Sequence, residues 1–206
     1  NFFKRVKKII FAKLNTNLKK LFTTFILLFS AISFAQEGTN VYPFLNIPVS
    51  ARQAALGGDA VSVRDYDVSF AAVNPGLMNL EQDEMISVNY ASYLADSKYG
   101  TISYVKDLEE GHLVSLSARY MDYGKMPRTD ESAVIDGEFG AMDASIGLGY
   151  AYQFDEDWTI AGSASFVTSR IDNYTSMAMV GNAGVTYHNR QSNETLALVF
   201  RNFGYQ

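Results

Sequence analysis

The chain has 206 residues, a formal net charge of −5, no cysteine and two histidines, and 48% of its residues are hydrophobic. This composition excludes a disordered chain, a disulfide framework and a cysteine-based metal site or nucleophile. Residues 1–35 hold seven basic and no acidic residues, which leaves ten basic against 22 acidic residues in 36–206, a surface too acidic for nucleic acid.

The first 35 residues have the layout of a secretory signal peptide. Seven basic residues precede an apolar run over 22–35, which ends in Ser33-Phe34-Ala35 before Gln36. The alternative is a membrane anchor, but the run is shorter than the ~20 residues that a spanning helix needs. We therefore predict cleavage near Ala35-Gln36 and export from the cytoplasm. No cysteine follows that site, so the mature protein is not expected to be a lipoprotein.

Residues 36–82 form a different segment that precedes the first predicted strand. Ser50 is a candidate N-cap for a short helical turn, and Gly57 is a candidate end for it. Gly57-Gly58 is a weak phosphate loop because no Lys-Ser or Lys-Thr follows. Arg52 is either a surface charge or a buried residue that pairs with one of three carboxylates in the segment, Asp59, Asp65 or Asp67.

Seven later segments alternate apolar and polar residues with a period of two, which predicts β-strands. The clearest is 142–154, where Ile146, Leu148 and Tyr150 alternate with Gly147 and Gly149. The predicted strands cover residues 85–93, 99–106, 112–121, 142–154, 158–170, 176–188 and 195–203.

Two architectures share this alternation. In a soluble sandwich the apolar face is the core, whereas in an outer-membrane barrel it faces lipid and the polar face lines the lumen. Long strands, a polar face rich in Gly, Ala and Ser, and aromatic residues near strand ends favour the barrel. We expect Ile146, Leu148 and Val185 to contact lipid, and Asp143, Ser163 and Asn182 to face inward.

The connections between the predicted strands differ in length. With a periplasmic N-terminus, the outer connections are 94–98, 122–141 and 171–175, and the inner turns are 107–111, 155–157 and 189–194. The long outer connection carries apolar side chains flanked by charges, as a protein interface does. It is either a mobile solvated loop or a contact for a surface partner, with the candidate residues Tyr123, Met126, Pro127, Arg128, Ile135 and Phe139.

Two stretches before the strands carry a resemblance to a known family. The stretch FLNIPVSARQAALGG, residues 44–58, and Asn74-Pro75-Gly76-Leu77 precede tyrosine-rich strands. Together they resemble the PorV/PorQ family of type IX secretion system outer-membrane proteins, part of the FadL-like barrel superfamily. The stretches at 187–189 and 201–206 make the PorQ-like members the closer ones.

The resemblance implies an all-β, antiparallel barrel of about fourteen strands with an N-terminal plug. The sequence is then divided into a signal peptide over 1–35, a plug segment over 36–82 and the N-terminal half of the barrel over 83–206. Seven strands is an odd number and cannot close a bacterial barrel of the even-stranded kind, so the chain is expected to be a fragment. The plug motif comprises Arg52, Leu56, Gly57, Gly58, Asp59, Asn74 and Pro75.

The function implied by the resemblance is non-enzymatic. Such a protein lies in the outer membrane of a Gram-negative bacterium, contacts its lipid and holds a surface protein of the attachment complex (PorZ-like) or other type IX components. A FadL-like transporter of hydrophobic small molecules is the alternative. A soluble secreted β-sandwich is a third, weaker possibility.

Few polar residues on the strands are candidates for chemistry. Arg119, Asp143, Asn182 and Arg201 fall on the polar face, where they form either a hydrogen-bonded lumen network or a substrate path. His112 and His188 lie near inner turns and are predicted to be structural. No metal site or cofactor is predicted, since no ligand or catalytic motif occurs.

Overall fold

The computed structural model of the protein describes residues 42–93, 96–129, 132 and 134–205. The predicted signal peptide over 1–35 and the first residues of the following segment lie outside this range. Seven β-strands account for most of the described chain. They are β1 (Ile86–Ser92), β2 (Lys98–Asp107), β3 (His112–Thr129), β4 (Ile135–Gln153), β5 (Trp158–Ile171), β6 (Tyr174–Asn189) and β7 (Glu194–Tyr205).

The strands form one antiparallel sheet in the order β1-β2-β3-β4-β5-β6-β7. The number of strands and the antiparallel, all-β class agree with the sequence prediction. Each strand pairs with its neighbours in sequence, because turns of two to five residues join them and leave no room for a crossover. Only five described residues, Ala51–Ala55, form an α-helix, α1. Within the described residues, no helix is long and apolar enough to cross a membrane.

The N-terminal segment, residues 42–82 as the structure describes it, lies on one face of the sheet. Besides α1 it contains four short 3₁₀ turns, at Pro43–Asn46, Val68–Ala72, Pro75–Leu77 and Leu80–Gln82. Side chains from the segment and from the sheet form two buried apolar clusters. One cluster comprises Tyr42, Phe44, Tyr99, Met121, Val167, Ala178 and Val180. The other comprises Val68, Ala71, Met78, Val105, Leu113, Ala151 and Ala161.

The two faces of the sheet differ in a way that reverses the usual arrangement of a soluble protein. The face under the N-terminal segment, here called the covered face, carries small and polar residues such as Thr101, Ser103 and Ser115, all of them buried, beside the sheet residues of the two apolar clusters. The opposite face, here called the open face, carries the large apolar residues. Leu148 is 67% exposed and Ile146 is 55% exposed. In a sandwich the apolar face would form the core, but here the face with the large apolar residues is the exposed one.

One connection differs from the prediction. Residues 122–141 were expected to form a long loop, but β3 and β4 continue through most of them as a paired hairpin. The pairing is interrupted at Gly124, which has a positive φ of 74°, and it resumes between Lys125 and Gly140. This is a β-bulge, in which glycine adopts a backbone conformation that costs other residues more.

The position of Pro127 in β3 explains why this strand tolerates a proline. Pro127 lies in β3 beyond Asp122, where the pairing of β3 with β2 ends. Its missing N–H therefore breaks no bond on that edge, and prolines in strands are confined to such positions. Most of the predicted partner loop is thus an extension of the sheet, with strand residues as far as Thr129 in β3 and from Ile135 in β4.

Candidate functional site

The candidate site is the interface between the N-terminal segment and the covered face. Arg119 of β3 lies at its centre and faces the segment, as predicted for the polar set. Its guanidinium donates to the carbonyl oxygen of Leu45 at 2.8 Å and to that of Ala72 at 2.5 Å. The two carbonyls belong to separate 3₁₀ turns, so one side chain fixes two parts of the segment to the sheet.

The Asn-Pro turn makes the closest approach to the sheet. Asn74 is fully buried, accepts a hydrogen bond from the Gly76 N–H at 2.9 Å and donates to the Val61 carbonyl at 2.8 Å. A Cβ added at Gly76 would lie 2.6 Å from the Thr186 hydroxyl oxygen. The motif therefore depends on the absence of a side chain at this position.

The helical turn of the predicted motif forms as expected at its ends. The hydroxyl oxygen of Ser50 accepts a hydrogen bond from the Gln53 N–H at 3.2 Å and so caps α1. Gly57 and Gly58 both have positive φ, 92° and 90°, and they end the turn. Leu56, which precedes them, is 52% exposed.

Arg52 pairs with Asp65, one of the three carboxylates considered from the sequence. The distance between Arg52 Nη2 and Asp65 Oδ2 is 2.5 Å, and the guanidinium lies 5.5 Å from the centre of the Tyr66 ring. The side chain of Arg52 is nevertheless 43% exposed. It is an ion-paired residue at the rim of the interface and is not buried.

The other predicted polar residues bond either to neighbouring strand residues or to the segment. Asp143 is 5% exposed and accepts a hydrogen bond from the Tyr123 hydroxyl at 2.6 Å. Arg201 donates to Asp59 at 2.8 Å, which joins β7 to the plug motif. The Asn182 side chain donates to the Ser163 hydroxyl at 3.0 Å and accepts from the Asn202 N–H at 2.8 Å.

The candidate partner residues lie on the β3–β4 hairpin but do not form one cluster. Tyr123 is turned to Asp143 within the sheet. Arg128 pairs with Asp172 at 2.5 Å, which ties the hairpin to the β5–β6 turn. Ile135 is 66% exposed. The remaining candidates, Met126, Pro127 and Phe139, are exposed or half-buried along the paired extension.

Three buried amides were not identified from the sequence. Gln53 accepts from the Val49 N–H at 2.7 Å and also donates to the Gly58 carbonyl. Asn79 and Gln82 form a capping box, and both donate to the Asp65 carbonyl, at 2.9 and 2.8 Å. Their partners are mostly main-chain atoms, which have no sequence signature; only the three-residue spacing of the capping box could have indicated that pair.

The interface offers structural hydrogen bonding and no recognisable metal centre. In the part of the chain that the structure describes, no group of three or more His, Cys, Asp or Glu side chains could hold a metal ion. His112 contacts the Tyr150 hydroxyl through Nδ1 at 2.6 Å and stacks on Tyr152. His188 contacts the Thr195 hydroxyl at 2.8 Å.

Aromatic side chains lie on the open face in two rows. One row lies near the ends of β1 and β3, with Tyr90 and Tyr120 at 69% and 42% exposure. The other lies near the opposite ends of the strands and comprises Tyr150, Tyr152, Phe154, Trp158 and Tyr187. Large aliphatic side chains such as Ile146 and Leu148 lie between the rows.

The sequence matches no protein-family model, and no curated protein matches it.

Proposed function

We propose that this chain is part of an outer-membrane β-barrel whose open face contacts lipid. The observation that carries the proposal is the reversed sheet, whose open face exposes large apolar side chains on every strand while its covered face buries polar ones. Monomeric soluble proteins rarely expose contiguous apolar patches of more than a few hundred Å², and the open face extends over all seven strands. Lipid removes the cost of exposing such a surface to water.

The spacing of the aromatic rows supports this proposal. Tyr120 pairs with Ala144 in β4, eight residues from Tyr152 in the other row. Eight residues correspond to about 27 Å along a strand, or about 21 Å across a membrane when the strand is tilted by ~40°. An apolar band of ~25 Å between aromatic girdles is typical of outer-membrane barrels.

In this proposal the N-terminal segment is the plug and the covered face lines the lumen. Arg119 and Arg201 hold the segment against the strands through Leu45, Ala72 and Asp59. A gap beside Arg119 is lined mainly by polar side chains, including Asn46, Gln53, Asn182 and Asn202. A transporter of hydrophobic molecules would need an apolar pocket beside its plug, so the described residues favour a blocked barrel over a FadL-like transporter.

We further propose that the blocked barrel is a non-enzymatic component of the type IX secretion system that holds a PorZ-like surface protein of the attachment complex. The family resemblance of residues 44–58 and 74–77 supports this role. The β3–β4 hairpin also supports it, because a paired and ion-paired extension is a stiff element to present to a partner. Its exposed residues include Ile135 and Pro127.

The test shortens the hairpin without changing the lipid-facing strands. We would replace residues 125–139 by Asn-Gly, which favours a tight two-residue hairpin turn, and compare the abundance of the membrane-inserted protein with the amount of co-purified surface protein. We expect normal insertion and loss of the partner. The matched control is Lys125→Gln, which removes the exposed ion pair with Glu138 but keeps the hairpin and should retain the partner.

Two results would contradict the proposal in different ways. If the partner stays bound to the shortened protein while uptake of long-chain fatty acids falls, the transporter function is the better one. If the protein is recovered in full without detergent and without membranes, the barrel itself is wrong.

A further inference from the structure

A polar cleft lies at the end of the sheet where the turns 154–157 and 190–193 are located. Arg64 lines it from the N-terminal segment, His188 from the end of β6 and Arg190 from the turn that follows. The cleft has a volume of about 500 Å³, which is large enough for a phosphate group together with water. Its other lining residues are Asp65, Asn79, Leu80, Glu81, Gln153 and Asn193.

The two arginines in this cleft have no directly bonded counterion among the described residues; Glu81 lines the same cleft and attracts Arg64 without pairing with it. Neither guanidinium makes a hydrogen bond or an ion pair there, whereas Asp65 is already paired with Arg52. Burial lowers the pKa of Arg64 below its ordinary value, and the positive charge of Arg190 lowers it further. The negative charge of Glu81 raises this pKa, but its effect is the smallest of the three. The repulsion between two like charges is the kind of unfavourable term that a bound anion removes.

We propose that this cleft binds a phosphate group through Arg64, Arg190 and His188. A guanidinium presents its N–H groups as a rigid fork that matches phosphate oxygens. The donors come from two parts of the chain, the N-terminal segment and the end of β6 with its following turn, which suits the several acceptor directions of a tetrahedral dianion. His188 can contribute through Nε2, because its Nδ1 is bonded to Thr195. The inference rests on the cleft and does not depend on the proposed function.

The amides that line the cleft are not equally available to a ligand. The Asn79 side chain is occupied by hydrogen bonds to the Asp65 carbonyl and to the Leu77 carbonyl. Gln153 donates to the carbonyl of Glu156. Asn193 is the amide that makes no side-chain hydrogen bond within the described part of the chain, so it is the candidate fourth donor.

The experiment titrates inorganic phosphate into the full chain in detergent at constant ionic strength and follows binding by calorimetry. We expect saturable binding, weakened by about tenfold or more in Arg64→Gln and in Arg190→Gln, since each substitution removes a charge-assisted contact. Arg190 lies on an exposed turn, so its substitution leaves the fold intact even if Arg64→Gln disturbs the segment. The matched control is Arg170→Gln, near the opposite end of the sheet, which should bind as the wild type does.

A second titration uses short-chain phosphatidic acid to distinguish free phosphate from a lipid headgroup. Affinity at least tenfold higher than for inorganic phosphate, again lost in Arg190→Gln, supports a headgroup site. Equal affinities, both lost in that variant, support a site for free phosphate. Absence of binding, or binding that Arg64→Gln and Arg190→Gln leave unchanged, overturns the proposal.

Discussion

Replacing Arg119 by methionine should detach the N-terminal segment from the sheet. Methionine keeps the apolar stem of the side chain but removes the guanidinium that donates to Leu45 and Ala72. A hydrogen bond from a charged donor contributes about 1.5–3 kcal/mol, so the two bonds together are worth about 3–6 kcal/mol. The variant no longer desolvates a charge on folding, which offsets part of that loss. We therefore expect a net loss of about 2–4 kcal/mol in the free energy that holds the segment.

The assay is amide hydrogen exchange, which reports the opening free energy of each region separately. A loss of 2–4 kcal/mol corresponds to a decrease in protection of about 30-fold to 1000-fold, and we expect it in residues 42–82 but not in β4 and β5. Arg170→Met serves as the control, because Arg170 makes one weak contact, at 3.4 Å, to a turn carbonyl. Unchanged protection of the segment in the Arg119 variant would refute the role assigned to this residue.

Three further predictions follow from the open face, the Asn-Pro turn and the turn before β1. Leu148→Arg should lower the free energy of unfolding from bilayers by about 2–4 kcal/mol, whereas Trp158→Arg, near the strand end, should lower it by about 0–1 kcal/mol. Equal decreases in the two variants would argue against a lipid-facing surface. Gly76→Ala should destabilise by about 1–3 kcal/mol, because the new methyl group meets a buried threonine hydroxyl; a midpoint of chemical denaturation equal to that of the wild type would be inconsistent with that close approach. The pKa of Asp83 lies below its ordinary value, chiefly because the backbone N–H of Asp107 donates a hydrogen bond to its carboxylate. This carboxylate therefore stabilises the fold above the ordinary pKa of an aspartate, ~4, and the effect is lost as the pH falls through the lowered folded-state pKa. The stability difference between wild type and Asp83→Asn should shrink from pH 7 to pH 3, and a difference independent of pH would contradict the assignment.

The strands were predictable because their evidence is local. The alternation from Met142 to Phe154 predicts both the strand and its facing, and the structure places Leu148 on the open face and Asp143 on the covered face. The sequence also predicted that Arg119 lies on the polar face, but not what it contacts. Its partners are main-chain carbonyls 47 and 74 residues away, and no residue pattern encodes such pairs.

The hairpin over 122–141 shows why a local signal can mislead. Residues 122–141 lie between two predicted strands and were expected to form a connection; they include Gly124 and Pro127, residue types that favour turns. In the structure the glycine forms a bulge and the proline lies on an unpaired edge, so neither ends the strand. Both are tolerated because β3 extends beyond β2, a property of the neighbouring strand that residues 122–129 do not reveal.

The pure meander order of the sheet has a consequence for how the molecule assembles. Every strand pairs with its sequence neighbours, so each hairpin closes only a short loop and forms quickly. Docking of the N-terminal segment is different, since its contact from Asn74 to Thr186 spans 112 residues. The segment is synthesised before the strands, but among the described strands its binding surface is complete only once β7, which carries Arg201, has joined the sheet. The N-terminal segment can therefore complete its contacts with the described strands only after they have paired, and until then Phe44 lacks the cover that Tyr99, Met121 and Val167 of the sheet give it.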